Sequence, residues 1–140
     1  MEDFVTFETA KKLKEKGFRE DCIAYYHTDG ELLYNRDQYR GGDYKSLLRS
    51  YNSLPKNPIG CEQIDAPTIS QVLKWLREEK LILIGLSPMQ EYDCNEIIEW
   101  CCTIFKANKQ GGLSWQEEFY YQSYEHASLA GIEYVLDNLI

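Results

Sequence analysis

The sequence predicts an α+β fold: an antiparallel or mixed sheet built from two hairpins plus a strand, with three main helices packed on one face. Three observations carry this reading. Asp29-Gly30 separates two β-favouring runs, an alternating run from Ile97 to Ala107 turns back through Gly111-Gly112, and three amphipathic segments open at the hydroxyl residues Thr6, Thr68 and Ser123. Strands paired in sequence and set between helices are the pattern of that class.

Thr6 can cap the first helix, Glu8 suits its positive end, and Ala10, Leu13 and Phe18 fall on or near one side. Gly17 supplies the stop, because glycine takes the left-handed conformation at little cost. The runs 22–28 and 31–35 flank Asp29-Gly30, which predicts a hairpin with a type I′ turn. Residues 36–66 form an irregular excursion, in which Asp43 can cap a short helix through Tyr44, Leu47, Leu48 and Tyr51 before Pro55 and Pro58 stop it.

Thr68 and Gln71 make a capping box for a second helix, with Ile69, Val72, Leu73 and Leu76 as its buried stripe and Trp75 at the margin. That helix ends near Lys80. The run 81–86 is apolar on both faces and reads as a central or covered strand, after which Ser87-Pro88 turns the chain. From Ile97 the chain alternates, with Ile98, Trp100, Cys102 and Ile104 on one side and Glu99, Cys101, Thr103 and Phe105 on the other. A loop over 108–113 leads to a return strand at 115–122, and Ser123 caps a last helix whose stripe is Leu129, Ile132, Leu136 and Leu139.

A chain of 140 residues fits a single domain, 1–140, and buries roughly 65–70% of its unfolded surface without metal or disulfide staples. Its 5 cysteines are odd in number, lack a Cys-x-x-Cys pair, and include adjacent Cys101 and Cys102, which a strand would point to opposite faces. That is the usage of reduced thiols in a cytoplasmic protein. The amino terminus opens with acids rather than a basic signal region, and no apolar run is long enough to span a bilayer.

Charge is uneven. Residues 1–86 hold 13 basic and 14 acidic groups, whereas residues 87–140 hold Lys106 and Lys109 against nine acids. Such an acidic portion repels nucleic acid and favours a basic partner, unless it serves solubility alone. The chain has 11 tyrosines, which suit either the wet face of a sheet or a contact surface.

No motif for catalysis, cofactor or metal emerges. His27 and His126 lack a nucleophile and an orienting partner at a recognisable spacing. The carboxylates Glu91, Asp93, Glu96, Glu99, Glu117 and Glu118 show no calcium-loop spacing, no zinc-protease His pair appears, and the glycine pairs lack a phosphate-loop or dinucleotide context. The expectation is a protein without enzymatic activity that works through a protein partner or as a homo-oligomer. Its candidate contact residues are Tyr25 and Tyr34 on the hairpin, Arg36, Arg40 and Arg49 in the basic excursion, and Glu117 and Glu118 on the acidic strand. The first alternative is a nucleic-acid-binding regulator using helix 68–80, with Gln71, Lys74 and Arg77 on one face. Against it stand the long, proline-interrupted 52–67 segment and the charge. A further alternative is an acidic surface that imitates DNA.

Three stretches carry a resemblance. Residues 66–80, from Ala66-Pro67-Thr68 through Trp75-Leu76-Arg77 to Lys80, are similar to a segment of small uncharacterised proteins of Bacteroides genomes and their phages or mobile elements. The tail, with Ser123-Tyr124-Glu125, Gly131-Ile132-Glu133-Tyr134 and Leu136 to Ile140, resembles theirs as well, as does the opening from Thr6 to Leu13. The resemblance implies a small accessory protein and transfers no catalytic or binding residue.

Overall fold

The computed structural model describes residues 3–34, 63–90 and 97–140. Their elements run α1 (Phe7–Glu15), β1 (Ala24–Tyr26), β2 (Leu32–Tyr34), β3 (Ile64–Ala66), α2 (Ile69–Glu79), β4 (Ile82–Gln90), β5 (Ile97–Ala107), β6 (Leu113–Tyr121) and α3 (Tyr124–Asn138). The strands form two antiparallel sheets, ordered β2-β1-β3 and β4-β5-β6, where the sequence had suggested one. The chain divides into two compact units, Met1–Thr68 and Ile69–Ile140.

In the first unit the Thr6 hydroxyl accepts the Thr9 amide at 3.2 Å, as the predicted cap requires. The end of α1 is closed by two reversed bonds, Gly17 N–H to Lys14 C=O at 3.2 Å and Phe18 N–H to Leu13 C=O at 3.0 Å. Gly17 makes this possible with φ +92, and buried Phe18 and Leu13 complete the apolar contact such caps favour. The hairpin forms, but its turn is not type I′. Gly30 N–H bonds the His27 carbonyl at 2.8 Å, and the only positive φ in the loop is that of Gly30, +88. Thr28 and Asp29 therefore make the turn while Gly30 supplies the left-handed residue, a three-residue loop.

β1 is the central strand because β3 pairs on its other side, with Tyr25 opposite Asp65 and Ala24 opposite Ala66. This short strand lies inside the stretch taken for an irregular excursion. The remainder of that stretch, including the short helix expected after Asp43, falls outside the described residues. α1 packs against β3, and the buried core of this unit gathers Val5, Leu13, Phe18, Cys22, Tyr26 and Ile64. The Tyr26 hydroxyl, deep in that core, donates to the Val5 carbonyl at 2.6 Å.

In the second unit α2 starts where the sequence indicates but buries Ile69, Val72, Trp75 and Leu76. Trp75 thus belongs to the covered stripe and Leu73 is only half-buried. Leu81 ends the helix in the left-handed region with φ 57, and β4 begins at once. β4 is an outer strand of its sheet rather than a central one. It runs through Ser87-Pro88 without turning, which an outer strand tolerates because proline's missing N–H can face away from the neighbour. β5 spans the residues its alternation predicts. Ser123 caps α3, accepting the His126 amide at 3.1 Å.

α3 buries Ala127, Ser128, Gly131, Ile132, Val135 and Leu136, whereas Leu129 and Leu139 are half-buried. The contacting stripe is built of smaller residues than expected because the helix lies close to the strands. A methyl group built on Gly131 would stand 2.6 Å from Cys102 Sγ and 3.2 Å from Ile84 Cγ2.

Candidate functional site

Strand register sorts the second sheet into two faces, since residues directly opposite in an antiparallel pair point the same way. Ile84, Ile104 and Cys102 share one face with Leu86, Phe119 and Glu117. α3 packs on this face, with Gly131 against Cys102 and with the edge-on ring pairs Trp100–Tyr124 at 5.2 Å and Phe119–Tyr134 at 5.4 Å.

The opposite face is built in cross-strand rows. Leu83, Phe105 and Trp115 form one, Gly85, Thr103 and Glu118 the next, and Ser87, Cys101 and Tyr120 a third. Beyond these lie Met89 and, past Phe105 along β5, Ala107 opposite Leu113. Four large apolar side chains on this face are exposed: Leu113 by 61%, Trp115 by 57%, Tyr120 by 51% and Met89 by 42%. Scattered apolar exposure is ordinary, but its concentration on one face, from Met89 at one corner to Leu113 at the opposite one, marks that face as a candidate contact surface.

A one-residue irregularity sets which β6 side chains reach that face. Ile104 pairs with Glu117 while Phe105 pairs with Trp115, so Gln116 is an extra residue in β6. Before it odd-numbered residues face out, and after it even-numbered ones do. Glu118 and Tyr120 therefore join Trp115 on the exposed face, and Glu117 goes to the side of α3.

Glu118 is the centre of a small polar network. The Tyr120 hydroxyl donates to its Oε1 at 2.6 Å and the Cys101 thiol donates to the same oxygen at 3.2 Å. The Thr103 hydroxyl lies 3.6 Å from Cys101 Sγ. The bond from Tyr120, and then that from Cys101, hold the carboxyl below its usual range. In turn the carboxylate pushes the Tyr120 phenol up to about 12. A carboxylate held so acidic is a poor base for a thiol, so the arrangement fixes an anion in place rather than activating a nucleophile.

Of the expected contact residues, Tyr25, Tyr34, Glu117 and Glu118 are among the described ones. Tyr25 is half-buried on β1 between Leu33 and Asp65, and Tyr34 on β2 is opposite Ala24, both in the first unit. Arg36, Arg40 and Arg49 lie outside the described residues, as do Glu91, Asp93 and Glu96. Glu117 and Glu118 point to opposite faces, and only Glu118 belongs to the exposed cluster. Trp115, Tyr120, Cys101, Met89 and Leu113 were not singled out from the sequence as contact residues. The available signal was the apolar character of both sides of β4 and β5, which one layer of helices cannot cover.

Lys74 and Arg77 on α2 are exposed but sit beside exposed Glu78 and Glu79, and Lys80 Nζ stands 5.3 Å over the Trp75 ring. His27 lies at the hairpin with Nδ1 3.5 Å from Asp29 Oδ1, and His126 is exposed in the first turn of α3. Among the described residues no group of three or more His, Cys, Asp and Glu side chains is placed to hold a metal ion. No helix among them is long and apolar enough to cross a membrane. The chain matches no protein-family model, no curated protein and no solved structure.

Proposed function

We propose that this chain is a small cytoplasmic accessory protein, of the phage or mobile-element type its resemblance implies, which acts by binding a protein partner rather than by catalysis. The binding surface is the exposed face of the β4-β5-β6 sheet. One observation carries this reading: Leu113, Trp115, Tyr120 and Met89 are exposed together on a single sheet face. α2 touches both β4 and α3, and α3 touches all three strands, which favours both helices lying on the Cys102 side and leaving this face to a partner. The thiols of Cys101 and Cys102, which form no disulfide among the described residues, fit a reducing compartment. The nucleic-acid alternative draws less support, because Glu78 and Glu79 interrupt the basic positions of α2 and Trp75 is covered. An acidic DNA-like surface draws less still, since Glu117 and Glu118 diverge.

The test places a photo-crosslinking residue at Met89 or at Leu113 and, as the comparison, at Lys74. A discrete protein adduct from the first two and not from the third is expected, and adding Trp115→Glu should abolish it while the circular dichroism spectrum is kept. Equal adducts from all three positions, or an adduct that survives Trp115→Glu, would overturn the assignment. A nucleic-acid adduct from Lys74 alone would move the function to α2.

A further inference from the structure

Resting on that reading, we infer that the exposed sheet face seats an arginine side chain from an extended, basic segment of the partner, with its guanidinium on Glu118 and its stem across Thr103 and Gly85. The geometry begins with relief. The row Gly85–Thr103–Glu118 carries no ring and no large apolar side chain and ends at a carboxylate, while the row on one side ends in Trp115 and the row on the other in Tyr120. A methyl group built on Gly85 would meet only the Thr103 carbonyl oxygen, at 3.8 Å, so the space above this glycine is open. The row is thus a trough running across three strands, about 10 Å from β4 to β6 at the usual strand spacing.

Charge selects the occupant. The strand positions of this face hold Glu99 and Glu118 and no lysine or arginine. Both bonds donated to Glu118 end on Oε1, which holds the carboxylate in one orientation and leaves the second oxygen to an incoming donor. A planar cation stacking on Trp115 or Tyr120 while bonding that oxygen combines a cation–π contact with a charge-assisted hydrogen bond. Guanidinium suits this better than ammonium, because it is planar, weakly hydrated and stacks on rings. Its aliphatic stem suits the floor of the trough. A second copy of the chain is the less favoured occupant, since this face laid on its own copy would meet Glu99 and Glu118 with the same acids and no basic strand position.

The probe is a short threonine–valine peptide with one central arginine, compared with the same peptide carrying citrulline, titrated into the isotope-labelled full chain and followed by NMR. Saturable shifts at the Trp115 indole and the Glu118 and Tyr120 amides are expected, with citrulline weaker by at least about tenfold. Glu118→Gln should weaken the arginine peptide by a similar factor. Gly85→Val should abolish binding while leaving the thermal midpoint unchanged or raised, because valine favours a strand and fills only the trough. Equal binding of arginine and citrulline peptides, or arginine binding untouched by both substitutions, would overturn the arginine site. So would the same shifts arising from self-association of the protein alone. A crosslinked partner adduct that persists in Glu118→Gln would likewise refute the arginine site and leave the interaction face standing, whereas loss of the Met89 and Leu113 adducts in the unsubstituted face would refute the face itself.

Discussion

Replacing Gly131 with alanine probes how closely α3 approaches the second sheet. The added methyl would sit 2.6 Å from Cys102 Sγ and 3.2 Å from Ile84 Cγ2, both well inside the roughly 3.5–4.0 Å of an ordinary contact. Cys102 is fully buried, so the sulfur cannot swing into solvent. Relieving the overlap means moving the helix or distorting the strand, and such overpacking costs about 1–3 kcal/mol. Alanine returns roughly 1 kcal/mol through its helix propensity. The net expectation is a loss of about 0–2 kcal/mol, read as an equal or lower urea midpoint at unchanged slope. The partner experiment is Cys102→Ala, which removes the sulfur at its own cost. In that background Gly131→Ala should cost much less or nothing, giving a coupling of at least about 1 kcal/mol in the double-mutant cycle. If Gly131→Ala clearly exceeds the parent in stability, or if the two changes simply add, the close contact is not what fixes glycine at this position.

Leu81 holds the left-handed conformation at φ 57, which costs an L-residue roughly 1–2 kcal/mol, so Leu81→Gly should be neutral or stabilising by up to about 1 kcal/mol in the same urea assay; a clear loss would mean its half-exposed side chain matters more than its backbone. The Tyr120–Glu118 bond should contribute stability only within a window. Because Glu118 is held below its usual range, its share is present above the ordinary carboxylate range and disappears as pH falls through the depressed value. Because Tyr120 is pushed from 10.0 up to about 12, its share disappears as pH rises between those values. An NMR titration of the Tyr120 ring carbon should show the raised midpoint, and Glu118→Gln should return it towards 10.0; an unchanged midpoint refutes the bond. Burial pushes the Cys102 thiol up to about 11, and burial with the nearby Asp65, Asp21 and Glu20 carboxylates pushes Cys22 higher still. Peptide mapping after iodoacetamide treatment should therefore find both unmodified in the folded protein and modified in urea, and rapid modification without urea would contradict their placement.

What the sequence discloses are the elements whose signals are local. Alternation over Ile97 to Ala107, the hydroxyl caps at Thr6 and Ser123, and the stop at Gly17 each depend on neighbours within a few residues, and each appears where the pattern places it. What escapes depends on distant partners. β3 spans three residues and includes Asp65, and its existence follows from pairing with β1 some forty residues earlier, which no short-range pattern records. The stripe of α3 was read from its large residues, but a helix close to a sheet selects Ala127, Gly131 and Val135. Glu118 was identified for its charge alone. Its setting between Trp115 and Tyr120 requires knowing that Gln116 is supernumerary, and the sequence spells a bulge no differently from a regular strand.

That supernumerary glutamine also determines how this surface changes through descent. Substitutions in β6 alter one side chain at a time, and most leave the rest of the face as it was. Drawing Gln116 into the regular ladder would act on the whole strand, because a shift of one position exchanges the faces of everything beyond it, whereas loss of its codon would leave Trp115 and Glu118 two positions apart and on one face as now. With the bulge drawn in, Glu117, Phe119 and Tyr121 would trade places with Glu118 and Tyr120 relative to Trp115, and a new recognition surface would arise with every residue of the strand retained. Between lineages, a partner change at this sheet should therefore be sought in whether β6 keeps its bulge as much as in its letters.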